Sequence, residues 1–160
     1  MIFGHLPGAY LAFKAAAPRA LSTSIFAAGM VGALFPDIDL FWFYFVDFRA
    51  HHHHEYLPHR PAVWLGLMIV FFVLTRRSGN RLAPIGMSFC AGALVHLVLD
   101  SIAGQIFWLW PLSDSAVTLV TVPATHSHFL LSFMAHWTFK VEIFVTTLGA
   151  IVFLHSRYRK

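Results

Sequence analysis

Four apolar stretches, at about residues 21–35, 62–74, 82–99 and 129–154, constrain what this chain can fold into more than any other feature. Charge is sorted around them. If they cross a bilayer alternately, starting inside, then Lys14, Arg19, Arg76, Arg77, Arg81, Arg157, Arg159 and Lys160 fall on one side, eight of the eleven basic residues. Asp37, Asp39, Asp47, Glu55, Asp100 and Asp114 fall on or near the other, six of the seven acids. Cytoplasmic loops carry an excess of Lys and Arg, and a soluble helical domain has no reason to alternate charge by segment. Spanning takes about 20 apolar residues, so length alone leaves the first two stretches short unless their flanks join, and the charge pattern decides. The expectation is an all-α fold in a single domain, residues 1–160. It is a multi-pass membrane helical bundle with about four transmembrane helices plus short interfacial helices and both termini cytoplasmic.

Composition agrees. Charged residues are 11% of the chain, against about 25% in a soluble domain, and seventeen Phe with five Trp suit lipid contact and its interfaces. The net charge of +4 comes without a basic stripe interleaved with aromatics, which argues against a nucleic-acid partner. Cys90 is the single cysteine, so no intramolecular disulfide can form. The first residues lack a basic region and do not read as a cleavable signal peptide. Pro36 ends the first stretch, because the residue before proline is pushed out of the helical region. Pro61 suits the first turn of the next helix. Residues 101–128 read as a long connection with short helices.

Polar groups gather where the apolar stretches end. His96 and Asp100 are four apart, hence on one helix face, and offer a nitrogen and an oxygen to a divalent metal. The alternative is a pair that only hydrogen-bonds at a helix end. Asp37 and Asp39 follow the helix-ending Pro36, and Asp39 equally suits capping of the aromatic helix after it. In the run His51–His54, four consecutive histidines cannot all face one point on a regular backbone. One or two bind metal, with His54 beside Glu55, or the whole run is a solvated loop. Arg60, next to His59, has a guanidinium shaped for an anion such as phosphate, or it snorkels to headgroups. His126 and His128 would join the same membrane edge. His136, Lys140 and Glu142 lie within the last apolar stretch, where ionisable groups face a bundle interior or pair, and read as structural rather than ligating. The alternating topology puts His5 inside, although a short re-entrant N-terminal helix would carry it toward the others. Ligand types converging from several helix ends are the pattern of a metal site built into a bundle.

Laid out together, these residues resemble the membrane-bound, predicted metal-dependent hydrolases of the bacterial inner membrane, a family related to the all-helical zinc-dependent phospholipase C fold. The resemblance rests on His5, on Gly32-Ala33-Leu34-Phe35-Pro36-Asp37-Ile38-Asp39, on His59-Arg60, and on Gly92-Ala93-Leu94-Val95-His96-Leu97-Val98-Leu99-Asp100. It covers about the first two thirds of the chain. It implies that His5, Asp37, His59, His96 and Asp100 bind a divalent metal, zinc, with Asp39 close by. Two departures reduce the expectation to one or two ions. Pro61-Ala62-Val63 follows His59-Arg60 where such hydrolases often continue into Thr-His-Ser, and Thr125-His126-Ser127 lies far downstream. His136 is followed one turn later by Lys140 rather than an acid.

The expected function is a metal-dependent hydrolase acting near the outer membrane face on a phosphoester of a lipid-like anionic substrate. A metal-bound water would attack, Asp39 or Glu55 would serve as general base, and Arg60 would hold the anionic group. The metal ligands would be His5, Asp37, His54, His59, His96 and Asp100. The rival is a non-enzymatic membrane protein whose histidine loop binds or senses metal or protons, since histidines titrate between about pH 5 and 8.

Overall fold

A computed structural model of the chain describes residues 3–17, 21–80 and 82–158. The described residues form seven α-helices: α1 (His5–Ala16), α2 (Thr23–Gly32), α3 (Asp39–Phe45), α4 (Pro61–Ser78), α5 (Ala83–Asp100), α6 (Phe129–Ala135) and α7 (Thr138–Tyr158). Short 3₁₀ turns at Pro36–Ile38, His53–Glu55 and Leu57–His59 join them on one end. Local signals explain several boundaries. Ser22 caps α2 by accepting from the Ile25 N–H. Pro61 and Pro84 stand in the first turns of α4 and α5. Gly79 takes a left-handed φ of 60° just after α4, a conformation that costs glycine little.

The bundle is built on α5. The Ser88 hydroxyl donates to the Ile25 carbonyl at 2.6 Å, Gly92 faces Gly29, and His96 reaches Ala33, so α2 runs parallel to α5. A Cβ on Gly92 would stand 2.0 Å from the Gly29 carbonyl oxygen, and one on Gly32 2.0 Å from that of Phe89. Small residues let the two backbones approach this closely, the usual basis of packing between helices in lipid. On the other side α4 runs antiparallel to α5, with Phe71 against Gly86 and Trp64 in the core with Cys90, Ala93, Leu97 and Ile106. The short α1 sits between α5 and α7. Gly8 meets Leu99 and Gly149 meets Pro7. The Tyr10 and Ser156 hydroxyls bond at 3.0 Å, which makes α1 parallel to α7.

Three helices, α4, α5 and α7, are long and apolar enough to cross a membrane, and α2 with residues 36–45 forms a fourth candidate bent by 49°. The all-α, roughly four-span architecture expected from the apolar stretches is therefore what the chain adopts. Three details differ. The stretch at 129–154 is two helices, because His136 turns back and its Nδ1 bonds the Thr138 hydroxyl at 2.9 Å and accepts from the Thr138 N–H at 3.4 Å, capping α7. The connection at 101–128 holds no helix. Ile106 and Val117 pair antiparallel, and Leu119 and Val120 donate to the carbonyls of Ser101 and Ile102, folding it back over the end of α5. The third difference concerns the termini. These helix directions put the starts of α1, α4 and α7 and the ends of α2 and α5 at one end, with Asp37, Asp39 and Asp100. Lys14, Arg76, Arg77 and Arg157 close α1, α4 and α7 at the other. Arg19, Arg81, Arg159 and Lys160 lie outside the described residues. His5 thus begins at the acidic end while α7 finishes at the basic end, whereas the alternating topology put His5 on the basic side and only a short N-terminal helix would carry it across. The count of apolar stretches passes over α1, because twelve residues are too few to span.

Candidate metal centre

The site is assembled from helix ends. Asp100 is the last residue of α5, and His96 lies one turn earlier on the same face. The His96 Nδ1 donates to the Ala33 carbonyl at 2.8 Å. A carbonyl only accepts, so the proton sits on Nδ1, and the Nε2 lone pair points away from the bond. His59, closing a 3₁₀ turn, donates its Nδ1 proton to the Asp39 Oδ2 at 2.6 Å, so its Nε2 also faces inward. His5 opens α1. His54 arrives from the loop turn, its ring so close to Gly104 that a Cβ there would stand 2.4 Å from its Cε1.

The result is a single carboxylate ringed by four imidazoles. The Nε2 of His5 is 3.3 Å from the Asp100 Oδ1, and those of His96, His54 and His59 are 3.0, 3.5 and 3.6 Å from its Oδ2. The His5 and His96 rings stack with centroids 3.7 Å apart. Burial is nearly complete: His59 and His96 are 0% exposed, His5 and Asp100 2%. The inward nitrogens of His59 and His96 make no hydrogen bond. Potential ligand atoms lie within 4.8 Å of one another in three sets: His5, Asp37 and His96; His59, His96 and Asp100; His53, His54 and His59.

The whole chain, residues 1–159, matches the family described as YdjM inner membrane protein. It belongs to the YdjM family. No curated protein and no solved structure matches it. The family places the chain in an inner membrane, in keeping with its apolar helices.

In this YdjM-family protein the remaining candidate residues take distinct places. Asp37 lines the open side, with its side chain 32% exposed and its Oδ1 3.7 Å from the His96 Nε2. Asp39 begins α3 without capping it. Its Oδ2 holds His59, and its Oδ1, 3.7 Å from the His53 Nδ1, makes no hydrogen bond. Glu55 is exposed and outside all three sets, and it is the carbonyl of Glu55 that accepts from the Arg60 Nε and Nη2 at 3.1 and 2.8 Å. The Arg60 guanidinium lies over Phe107 at 4.3 Å and near Trp110 at 5.6 Å, with Nη1 buried and unbonded. His51 turns outward to Asp47. His126 and His128 are exposed, bonded to the Thr125 hydroxyl and the Leu130 N–H, and belong to none of the sets. Sequence reasoning singled out His54 from its run and passed over His53. It had no means of finding the Ala33 carbonyl, since every residue carries one.

The loop groups are tuned in opposite directions. Burial pulls the His59 pKa down, but the Asp39 bond and the nearby Asp100 and Asp39 carboxylates outweigh it and push it up to about 9. Burial, then the neighbouring His53, holds His54 well below the usual imidazole value. Nearby, the Asp47 carboxylate is held low by the Tyr56 hydroxyl and the His51 N–H. Burial and then that carboxylate push the Tyr56 phenol up to about 12.

Proposed function

We propose that the chain is a membrane-embedded metal-dependent hydrolase that binds one or two zinc ions and cleaves a phosphoester in a lipid-like anionic substrate. The observation that carries the reading is the ring of four inward Nε2 atoms around Asp100, two of them on histidines whose other nitrogen is tied to Asp39 or to the Ala33 carbonyl. Ligating histidines nearly always have their second N–H engaged in this way, which fixes tautomer and ring orientation. A lone pair on the His96 Nε2 held 3.0 Å from a carboxylate oxygen is repulsive unless a cation or a proton lies between them. His5, Asp37, His54, His59, His96 and Asp100 would hold the metal. Bound there, zinc would supply a water of lowered pKa and a Lewis acid for the phosphoryl oxygen. Asp39, through its unbonded Oδ1, is the carboxylate placed to accept a proton.

The substrate class is supported by the surroundings. A groove of about 400 Å³, walled by Ile38, Phe41, Trp42, Leu57 and Pro58, meets Asp39 and Tyr56 at the edge of the cluster. Such a groove suits an apolar chain whose polar head enters the site. The unbonded Arg60 Nη1 would take the anionic group. The basic residues gathered at the opposite end support a site near the outer membrane face. A second reading, a non-enzymatic metal sensor, draws on the set formed by His53, His54 and His59 alone. Zinc content and phosphodiesterase turnover of the detergent-purified protein separate them. The enzyme reading expects near-stoichiometric zinc and turnover, both lost in His96→Ala and Asp100→Ala. Zinc retained by both variants would favour the loop sensor and refute the enzyme.

A further inference from the structure

Glu142 is a carboxylate 1% exposed on α7, a helix apolar enough to span a membrane, and ionisable groups at such positions are costly unless paired. Its Oε1 accepts from the backbone N–H groups of Phe3 and Gly4, the latter at 2.8 Å. Those amides stand at the start of α1, whose capping residue is Gly4, with no side-chain cap and no acid in its first turn. The first N–H groups of any helix lack intrahelical partners, and a negative charge there is favourable. Glu142 therefore takes up, from another helix, the N–H of the α1 capping residue and of the residue before it.

The next residue is His5. Its ring stacks on His96, and its Nε2 faces Asp100. The seat of α1 is tight, since Gly149 meets Pro7 and Gly8 meets Leu99, so a shift at its first turn moves His5 rather than being absorbed along the helix. We propose that Glu142 is the positioning residue for His5, setting from 137 positions away the depth at which its imidazole enters the cluster. Its effect on metal rests on the metal-binding reading above, whereas its effect on ring placement does not.

Both are measurable on the detergent-purified full chain. In the metal-free protein, the nuclear Overhauser contact between the His5 and His96 rings should be present in wild type and Glu142→Gln, whose amide oxygen still accepts, and absent in Glu142→Ala. Zinc affinity, read by competition with a chromophoric chelator, should fall about 10–100-fold in Glu142→Ala, the usual range for an outer-shell group. It should stay near wild type in Glu142→Gln, and be no weaker in Glu142→Ala/His5→Ala than in His5→Ala alone. A general loss of stability would instead multiply the two penalties. Persistence of the ring contact in Glu142→Ala, or multiplied penalties in the double variant, overturns the proposal. If wild type binds no zinc, the metal reading fails on its own, and the ring contact still decides whether Glu142 positions His5.

Discussion

Asp39→Asn tests the logic of the site most directly, because the carboxylate acts on His59 in two ways. It orients the ring through the 2.6 Å bond to Nδ1, and with Asp100 it overcomes burial to hold the imidazole pKa at about 9. A metal must therefore displace a proton from His59 at any pH below about 9, and one displaced proton costs tenfold in apparent affinity per pH unit. From pH 9 to pH 7 that is about 100-fold, or about 2.7 kcal/mol. Stability of the metal-free protein runs the other way. A histidine whose folded pKa lies above its unfolded value stabilises fully below about 6.5, and the contribution is lost as pH rises through about 9. In wild type, zinc affinity should climb between pH 7 and 9 and then flatten, while the melting temperature of the metal-free protein declines over the same window. In Asp39→Asn the amide oxygen still accepts from Nδ1, but the charge is gone. The break in the affinity profile should move to lower pH, and affinity at pH 9 should fall about 10–100-fold. Chelator competition across pH 6–10 measures both. Zinc affinity independent of pH between 7 and 9, or a profile in Asp39→Asn that overlays wild type, would refute the assignment of His59 as a ligand oriented by Asp39.

Two further outcomes concern the scaffold. Gly92→Ala places a methyl 2.0 Å from the Gly29 carbonyl oxygen, whereas Gly66→Ala meets nothing within 4 Å. The first should destabilise by about 1–3 kcal/mol through overpacking and the second be neutral or slightly stabilising, as read by thermal unfolding in detergent. Asp47→Asn removes the charge facing the Tyr56 phenol, so the ultraviolet titration of that tyrosine should move down from about 12 toward the ordinary value near 10.

Some of this architecture was legible in the residues and some was not, for identifiable reasons. The spacing of His96 and Asp100 places them on one face because helix period is a local property, and α5 keeps that period to its last residue. The sorting of Lys14, Arg76, Arg77 and Arg157 away from the acids follows from the energetics of insertion, which act on each loop separately. The first helix was harder, since twelve residues that include Pro7 and Gly8 carry neither the length nor the composition of a span. What seats α1 is contact with Leu99, Gly149 and Glu142, all distant in sequence. The break at His136 was hidden for a similar reason: an imidazole that caps the helix ahead looks, in a hydropathy profile, like one polar residue inside a long apolar run.

The placement of Asp100 adds a physical argument for a cation at the cluster. The C-terminal end of a helix carries the negative pole of its dipole, so a carboxylate buried at the last residue of α5 is opposed by its own helix. The Ala33 carbonyl just past the end of α2 turns more negative charge density the same way, though it is taken up by the His96 Nδ1. Among the described ion pairs, Asp100 meets four histidines. One of these, His96, presents a lone pair rather than a proton if its Nδ1 feeds the Ala33 carbonyl. A His59 held protonated up to about pH 9 supplies positive charge to this arrangement, and a divalent ion held by one of the three sets of ligand atoms would add more. On the metal-binding reading, the proton on His59 would be the charge that an incoming metal displaces.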